Sequence, residues 1–122
     1  MSDVIRSVED LNVFKKAYSV SLSIHRFSLG LPKYEQYSLG DQIRRASKSI
    51  CVNLAEGYAK SIGSSKEFKR FILMSLGSSD EMKVWLSYCK DLGYLDGEEW
   101  NVYYSSYCEI SKMLNGLHSS WK

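Results

Sequence analysis

This 122-residue chain has one proline, no Cys-x-x-Cys pair and no long uninterrupted apolar run, and each shortage removes a class of answer. Pro32 and eight glycines leave few places where a helix must break. Cys51, Cys89 and Cys108 are an odd set without metal-ligand spacing, which argues against a disulfide framework and against zinc. They read as reduced core residues. Asp3, Arg6, Glu9, Asp10, Lys15 and Lys16 interrupt any apolar stretch at the start of the sequence, so neither a signal peptide nor a membrane span is expected and the expected location is cytoplasmic. No repeat, low-complexity tract or linker divides the chain, so residues 1–122 are expected to form a single domain.

Hydrophobic residues make up 44% of the chain, enough for one proper core. The net charge of +2 is too small to imply a polyanionic partner by itself, but its distribution is uneven. Residues 38–76 carry seven bases (Arg44, Arg45, Lys48, Lys60, Lys66, Lys69 and Arg70) against three acids, Asp41, Glu56 and Glu67. Residues 77–122 carry four bases against seven acids.

The apolar residues recur at steps of three and four along four segments. Helices are expected over about 8–29, 38–59, 65–92 and 96–120, joined by loops at Gly30-Leu31-Pro32, at the serine-rich stretch 61–65 and at Gly93. Ser38 is placed to cap the second helix, Ser64 with Glu67 has capping-box spacing for the third, and Asp96 caps the fourth. In the fourth helix Trp100, Tyr103, Tyr107, Ile110, Leu114, Leu117 and Trp121 form an unbroken seam. Short loops between long helices make neighbours antiparallel, which predicts an all-α, up-down-up-down four-helix bundle. In the third helix Ile72, Leu73, Leu76, Val84 and Leu86 lie outside the main stripe, and this extra apolar surface suggests contact with another subunit, against the plainer reading of a wide interface within the bundle.

Heights along such a bundle, at about 1.5 Å per residue, sort the chemical candidates. His25 and His118 come out roughly 15 Å apart, too far to share one metal. Glu56 and Glu81 come out roughly 20 Å apart, too far for paired carboxylate chemistry. The residues therefore carry no expectation of a catalytic group, metal or cofactor. Arg44 and Arg45 fall level with Asp80 and Glu81, so an interhelical ion pair competes with a phosphate-binding role for the two arginines. Lys60, Lys66, Lys69 and Arg70 gather around the loop between the second and third helices, with Lys15, Lys16 and Lys122 brought toward the same end. The free N–H groups at the start of the third helix add to that basic end, a combination suited to phosphate.

Several separated blocks also resemble one family: Asp10-Leu11 with Lys16-Ala17, Gln42-Ile43-Arg44-Arg45-Ala46, Asn53-Leu54-Ala55-Glu56-Gly57, Lys66-Glu67-Phe68 with Arg70-Phe71, Gly77-Ser78 with Glu81, and Leu92-Gly93-Tyr94-Leu95. Together they resemble the bacterial four-helix-bundle proteins encoded in intervening sequences of large-subunit ribosomal RNA genes. That family is similar in turn to the accessory variability protein of diversity-generating retroelements, a five-membered ring that binds nucleic acid. The resemblance implies a cytoplasmic, non-enzymatic homopentamer with a basic surface, and points to Arg44, Arg45 and Lys48. The chain departs from the pattern at Cys51, where relatives commonly carry proline inside the second helix, so a straighter helix is expected here. The resulting expectation is an oligomeric scaffold binding RNA or DNA, against the alternative of a structural or protein-interaction bundle whose arginines pair internally.

Overall fold

The computed structural model describes residues 5–122. Four helices account for most of it: α1 (Asn12–Leu29), α2 (Leu39–Lys60), α3 (Ser65–Asp91) and α4 (Gly97–Ser120), with short 3-10 turns at Val8–Asp10 and Lys33–Glu35. Among the described residues there is no strand, and no helix is long and apolar enough to cross a membrane.

Consecutive helices pack side by side and α4 returns against α1, which leaves α1 and α3 diagonal. Cross-helix pairs fix the antiparallel sense. Phe14 meets Cys51 and Ser28 meets Arg44 across α1 and α2, while the Ser49 and Ser78 hydroxyls meet across α2 and α3. Lys90 lies over the Trp100 ring near one end of the α3–α4 pair, and Ser65 reaches the Lys122 carbonyl at the other. Lys16 and Glu109 join α1 to α4.

The helix ends follow local chemistry. Ser64 accepts the Glu67 N–H at 3.2 Å, but only half of the expected box forms, because the Glu67 carboxylate turns outward to Arg70. Asp96 and Glu99 make the complete reciprocal box at 2.7 and 3.0 Å. Gly93, at φ +85, adopts the left-handed conformation that lets the chain leave α3. Two expected starts are corrected. Asp10 accepts the N–H groups of Arg6 and Ser7 and closes a separate turn, and extended backbone at Leu11 postpones α1 to Asn12. Ser38 does not cap α2; its hydroxyl donates to the Glu35 carboxylate instead.

Ile24, Ile43, Ile50, Leu54, Phe68 and Leu114 are fully buried at the centre. The α4 seam holds as read, with Tyr107, Ile110 and Leu114 inside and Trp100, Tyr103, Leu117 and Trp121 half-buried toward the ends. Buried serines let the helices approach: Ser75 donates to the Ile50 carbonyl at 2.8 Å, and Ser79 bonds Ser111 at 2.8 Å. Of the extra apolar residues on α3, Ile72 and Leu86 belong to this core, while Leu73 and Val84 stay 48% and 55% exposed. α2 runs unbroken through Cys51. The cysteines divide, because Cys51 and Cys89 are buried as expected whereas Cys108 is exposed on α4.

Candidate nucleic-acid interface

The seven candidate cations fall into two groups on α2 and α3, and the axial distance between them follows from helix geometry. Lys48 and Lys60 are twelve residues apart, about 18 Å along α2. Arg44, Arg45 and Lys48 belong to one group, and Lys60, Lys66, Lys69 and Arg70 surround the α2–α3 turn.

Arg44 does not reach Asp80 or Glu81. Its Cα lies close to the right height, but the step from Ile43 turns its side chain about 100° around α2, toward α1 rather than α3. There one guanidinium nitrogen donates to Ser28 Oγ at 2.9 Å and to Gln36 Oε1 at 3.2 Å, and another donates to the Gln36 carbonyl at 2.5 Å. Gln36 in turn donates to the carbonyls of Ser28 and Leu31, both at 2.9 Å. The half-buried arginine thus stitches the α1–α2 loop together. Hydrogen bonds to a charged group contribute about 1.5–3 kcal/mol, so Arg44→Met should lower unfolding stability by about 2 kcal/mol. Urea unfolding checks this, with nucleic-acid affinity expected to stay unchanged.

Arg45 points outward and pairs with Asp41 one turn earlier, at 3.1 Å. Lys48 approaches His25 Nδ1 at 2.9 Å. Asp80 is engaged instead by Lys83 at 3.0 Å and by the Ser111 hydroxyl, and Glu81 accepts the Trp85 indole N–H at 2.8 Å.

At the α2–α3 turn, Lys60 pairs with Glu56 at 3.4 Å and Arg70 with Glu67 at 3.0 Å. The Arg70 hydrogen bond holds the Glu67 carboxyl below its usual range and raises the guanidinium in return. Both cations also lie 4.7 Å from the centroid of the Phe71 ring, on which their charged ends rest. Lys66 is exposed and Lys69 half-buried, and neither has a carboxylate within ion-pair distance among the described residues. They stand on the first and second turns of α3, beside the Ser65 hydroxyl that binds the Lys122 carbonyl. The basic tip therefore keeps two lysines uncommitted. Lys16, expected near this tip, is bound to Glu109 at 3.0 Å.

The sequence pattern includes Phe71, Glu56 and Glu67 but assigns none of them a partner at the tip, and it gives no sign of the Ser28–Gln36 pair. The ion pairs had a readable signal, since Asp41–Arg45 and Glu56–Lys60 are four residues apart and Glu67–Arg70 three. The role of Gly57 was also missed. A Cβ there would lie 2.4 Å from Phe71 Cβ, so this glycine is what allows α2 and α3 to touch just below the basic tip. Among the described residues no three His, Cys, Asp or Glu side chains gather as a metal site. Burial pushes the Cys51 thiol up to about 12 and Cys89 to about 11, which keeps both protonated near neutrality.

Residues 9–116 match the family model described as 23S rRNA-intervening sequence protein. Among curated proteins, none matches the chain. A crystal structure of a protein of unknown function from the S23 ribosomal protein family of Bacteroides thetaiotaomicron is similar in fold, with a TM-score of 0.78 and 21% identity, covering 88% of this chain and 96% of that one. The family match extends over all four helices and both groups of cations, and on that breadth the chain belongs to the 23S rRNA-intervening sequence protein family.

Proposed function

We propose that this protein is a non-enzymatic, oligomeric scaffold that binds RNA or DNA through its basic tip. The observation that carries the reading is the pair Lys66 and Lys69, both without a carboxylate partner among the described residues, at the N-terminal end of α3. Lys60 and Arg70 flank them, already held in place by Phe71 and by surface ion pairs weak enough for a phosphate to compete with. Membership of a family named for ribosomal RNA intervening sequences supports the same reading, as does the resemblance to the nucleic-acid-binding accessory protein of retroelements. The resemblance also favours a homopentamer. Five copies of the tip would turn weak phosphate contacts into useful affinity by multivalency.

The test is a titration of labelled structured RNA and of duplex DNA at several salt concentrations. If three cations per subunit meet phosphates, raising salt from 50 to 200 mM should weaken duplex binding by about 40-fold for each engaged subunit. No detectable binding to either nucleic acid at low salt would overturn the proposal. The alternative, a bundle that acts only through protein contacts, is favoured at one residue by the Arg44 network, which is fully engaged inside the fold.

A further inference from the structure

The α2–α3 turn carries an apolar side chain that the core leaves out. Ile62 is 96% exposed, more than any other large apolar residue among the described ones, and it takes no part in the core. Isoleucine is β-branched and stiff about its first torsion, so it presents a blunt apolar knob rather than a flexible arm. Such a side chain contributes to stability by being buried, and here it is not.

The backbone around Ile62 is held on both sides. The Ser61 N–H donates to the Tyr58 carbonyl at 3.1 Å, and the Ser61 hydroxyl donates to the same carbonyl at 2.7 Å. The Gly63 N–H donates to the Lys60 carbonyl at 3.2 Å, and Ser64 then caps α3. Beneath the turn Tyr58, Phe68 and Trp121 pack edge to face, with ring centroids 5.7, 6.2 and 4.6 Å apart. A knob on so firm a base can push apart what it meets.

The charges around it select the partner. Lys60 precedes Ile62 by two residues, Lys66 follows it by four, and Lys69 and Arg70 stand one turn further along α3. The two acids of this region, Glu56 and Glu67, are both engaged in ion pairs. A protein partner would be met by an apolar patch depleted of lysine. A single apolar side chain among cations instead matches the stacked bases and flanking phosphates of a nucleic-acid duplex.

We infer that Ile62 is a wedge: the cations seat the tip on phosphates, and the isoleucine enters between two neighbouring base pairs, partly unstacks them and kinks the duplex. This rests on the basic tip as the nucleic-acid site and deepens it, by naming a deformable duplex as the substrate. The two contributions are separable. Phosphate contacts supply affinity without regard to sequence. The wedge supplies preference, because mismatches and pyrimidine–purine steps unstack at lower cost than a stiff A-tract.

Two DNA duplexes of about 25 base pairs test this, one with a central mismatch and one with a central A-tract. Each carries a fluorescent adenine analogue at its centre and a dye at either end. The parent chain should brighten the analogue in the mismatched duplex, draw its ends together and bind it about 10-fold more tightly than the A-tract. Ile62→Ala should lose the brightening, the bend and the preference while keeping the parent's salt slope, because every cation remains. Ile62→Phe, a larger wedge, should keep all three. The position is exposed, so thermal unfolding of both variants should match the parent. An Ile62→Ala protein that brightens, bends and discriminates as the parent does would overturn the wedge and leave the tip standing as a phosphate site. A parent chain that binds both duplexes equally and bends neither would do the same. A parent chain that binds neither at low salt would remove both.

Discussion

Lys66→Glu combined with Lys69→Glu should weaken RNA or duplex DNA binding by about 50-fold at 0.1 M salt and lower the salt slope by about two. The size follows from counterion release. Each lysine that neutralises a phosphate frees close to one condensed cation, and that release is worth about 1.2 kcal/mol at this salt concentration. Reversing the charges adds repulsion to that loss. The fold should not notice, because neither lysine makes an ion pair in the described residues and surface changes of this kind stay within about 0.5 kcal/mol. Lys33→Glu with Lys90→Glu is the matched control. It changes the net charge equally, but at the opposite end of the bundle, beside Glu35 and Asp91. Gel-shift or anisotropy titrations of both pairs decide the matter. Equal losses would mean that net charge alone governs binding and that the tip is not the site.

Gly57→Ala should lower stability by about 2–3 kcal/mol and the unfolding midpoint by about 10 °C, although alanine is the better helix former. Propensity alone would favour the substitution by about 1 kcal/mol. The added methyl, however, would stand 2.4 Å from Phe71 Cβ, 3.0 Å from its Cγ and 3.1 Å from Phe68 Cδ1. Phe71 Cβ is fixed to the α3 backbone and no rotamer change removes it. The two helices must separate, and that separation disturbs Phe68, which is fully buried and packs edge-on against Tyr58 and Trp121. Gly77→Ala provides the opposite sign. Nothing lies within 4 Å of a Cβ at Gly77, so there the propensity gain of about 1 kcal/mol should emerge unopposed. Thermal and urea unfolding of the two variants measure both effects. A stabilised Gly57→Ala protein would show that α2 and α3 do not meet at this glycine.

These cases mark where the sequence was legible. Helical periodicity carries its own partner information, so the α4 seam from Trp100 to Trp121, the four helices and their antiparallel order could be read directly. Caps at Ser64 and Asp96 and the left-handed Gly93 were equally readable, because each depends on residues within four positions. Ser38 failed as a cap because Glu35, drawn to Tyr94 across the bundle, took its hydroxyl. The tertiary contact prevailed over the local one. Arg44 turns away from the expected Asp80 and Glu81 for a related reason: position in the sequence gives height along a helix, whereas the direction of a side chain around the axis decides which neighbour it meets. The tip was located correctly as a cluster, with Lys60, Lys66, Lys69 and Arg70 around one turn. Its division into paired and unpaired members is set by two acids at helical spacing, Glu56 four residues before Lys60 and Glu67 three before Arg70. Gly57 gave no local signal, since the atom it makes room for lies on another helix. Cys108 interrupts no pattern, and only its place on the outer side of α4 distinguishes it from the two buried thiols.

Mapping backbone amide shifts on addition of a short structured RNA tests the central claim most directly, because it locates the contact without altering the protein. The account predicts shifts centred on Lys60 to Arg70, fading as salt rises, with residues 91–99 at the opposite end unmoved. Shifts confined to residues 91–99, or no shifts at low salt and saturating RNA, would contradict it.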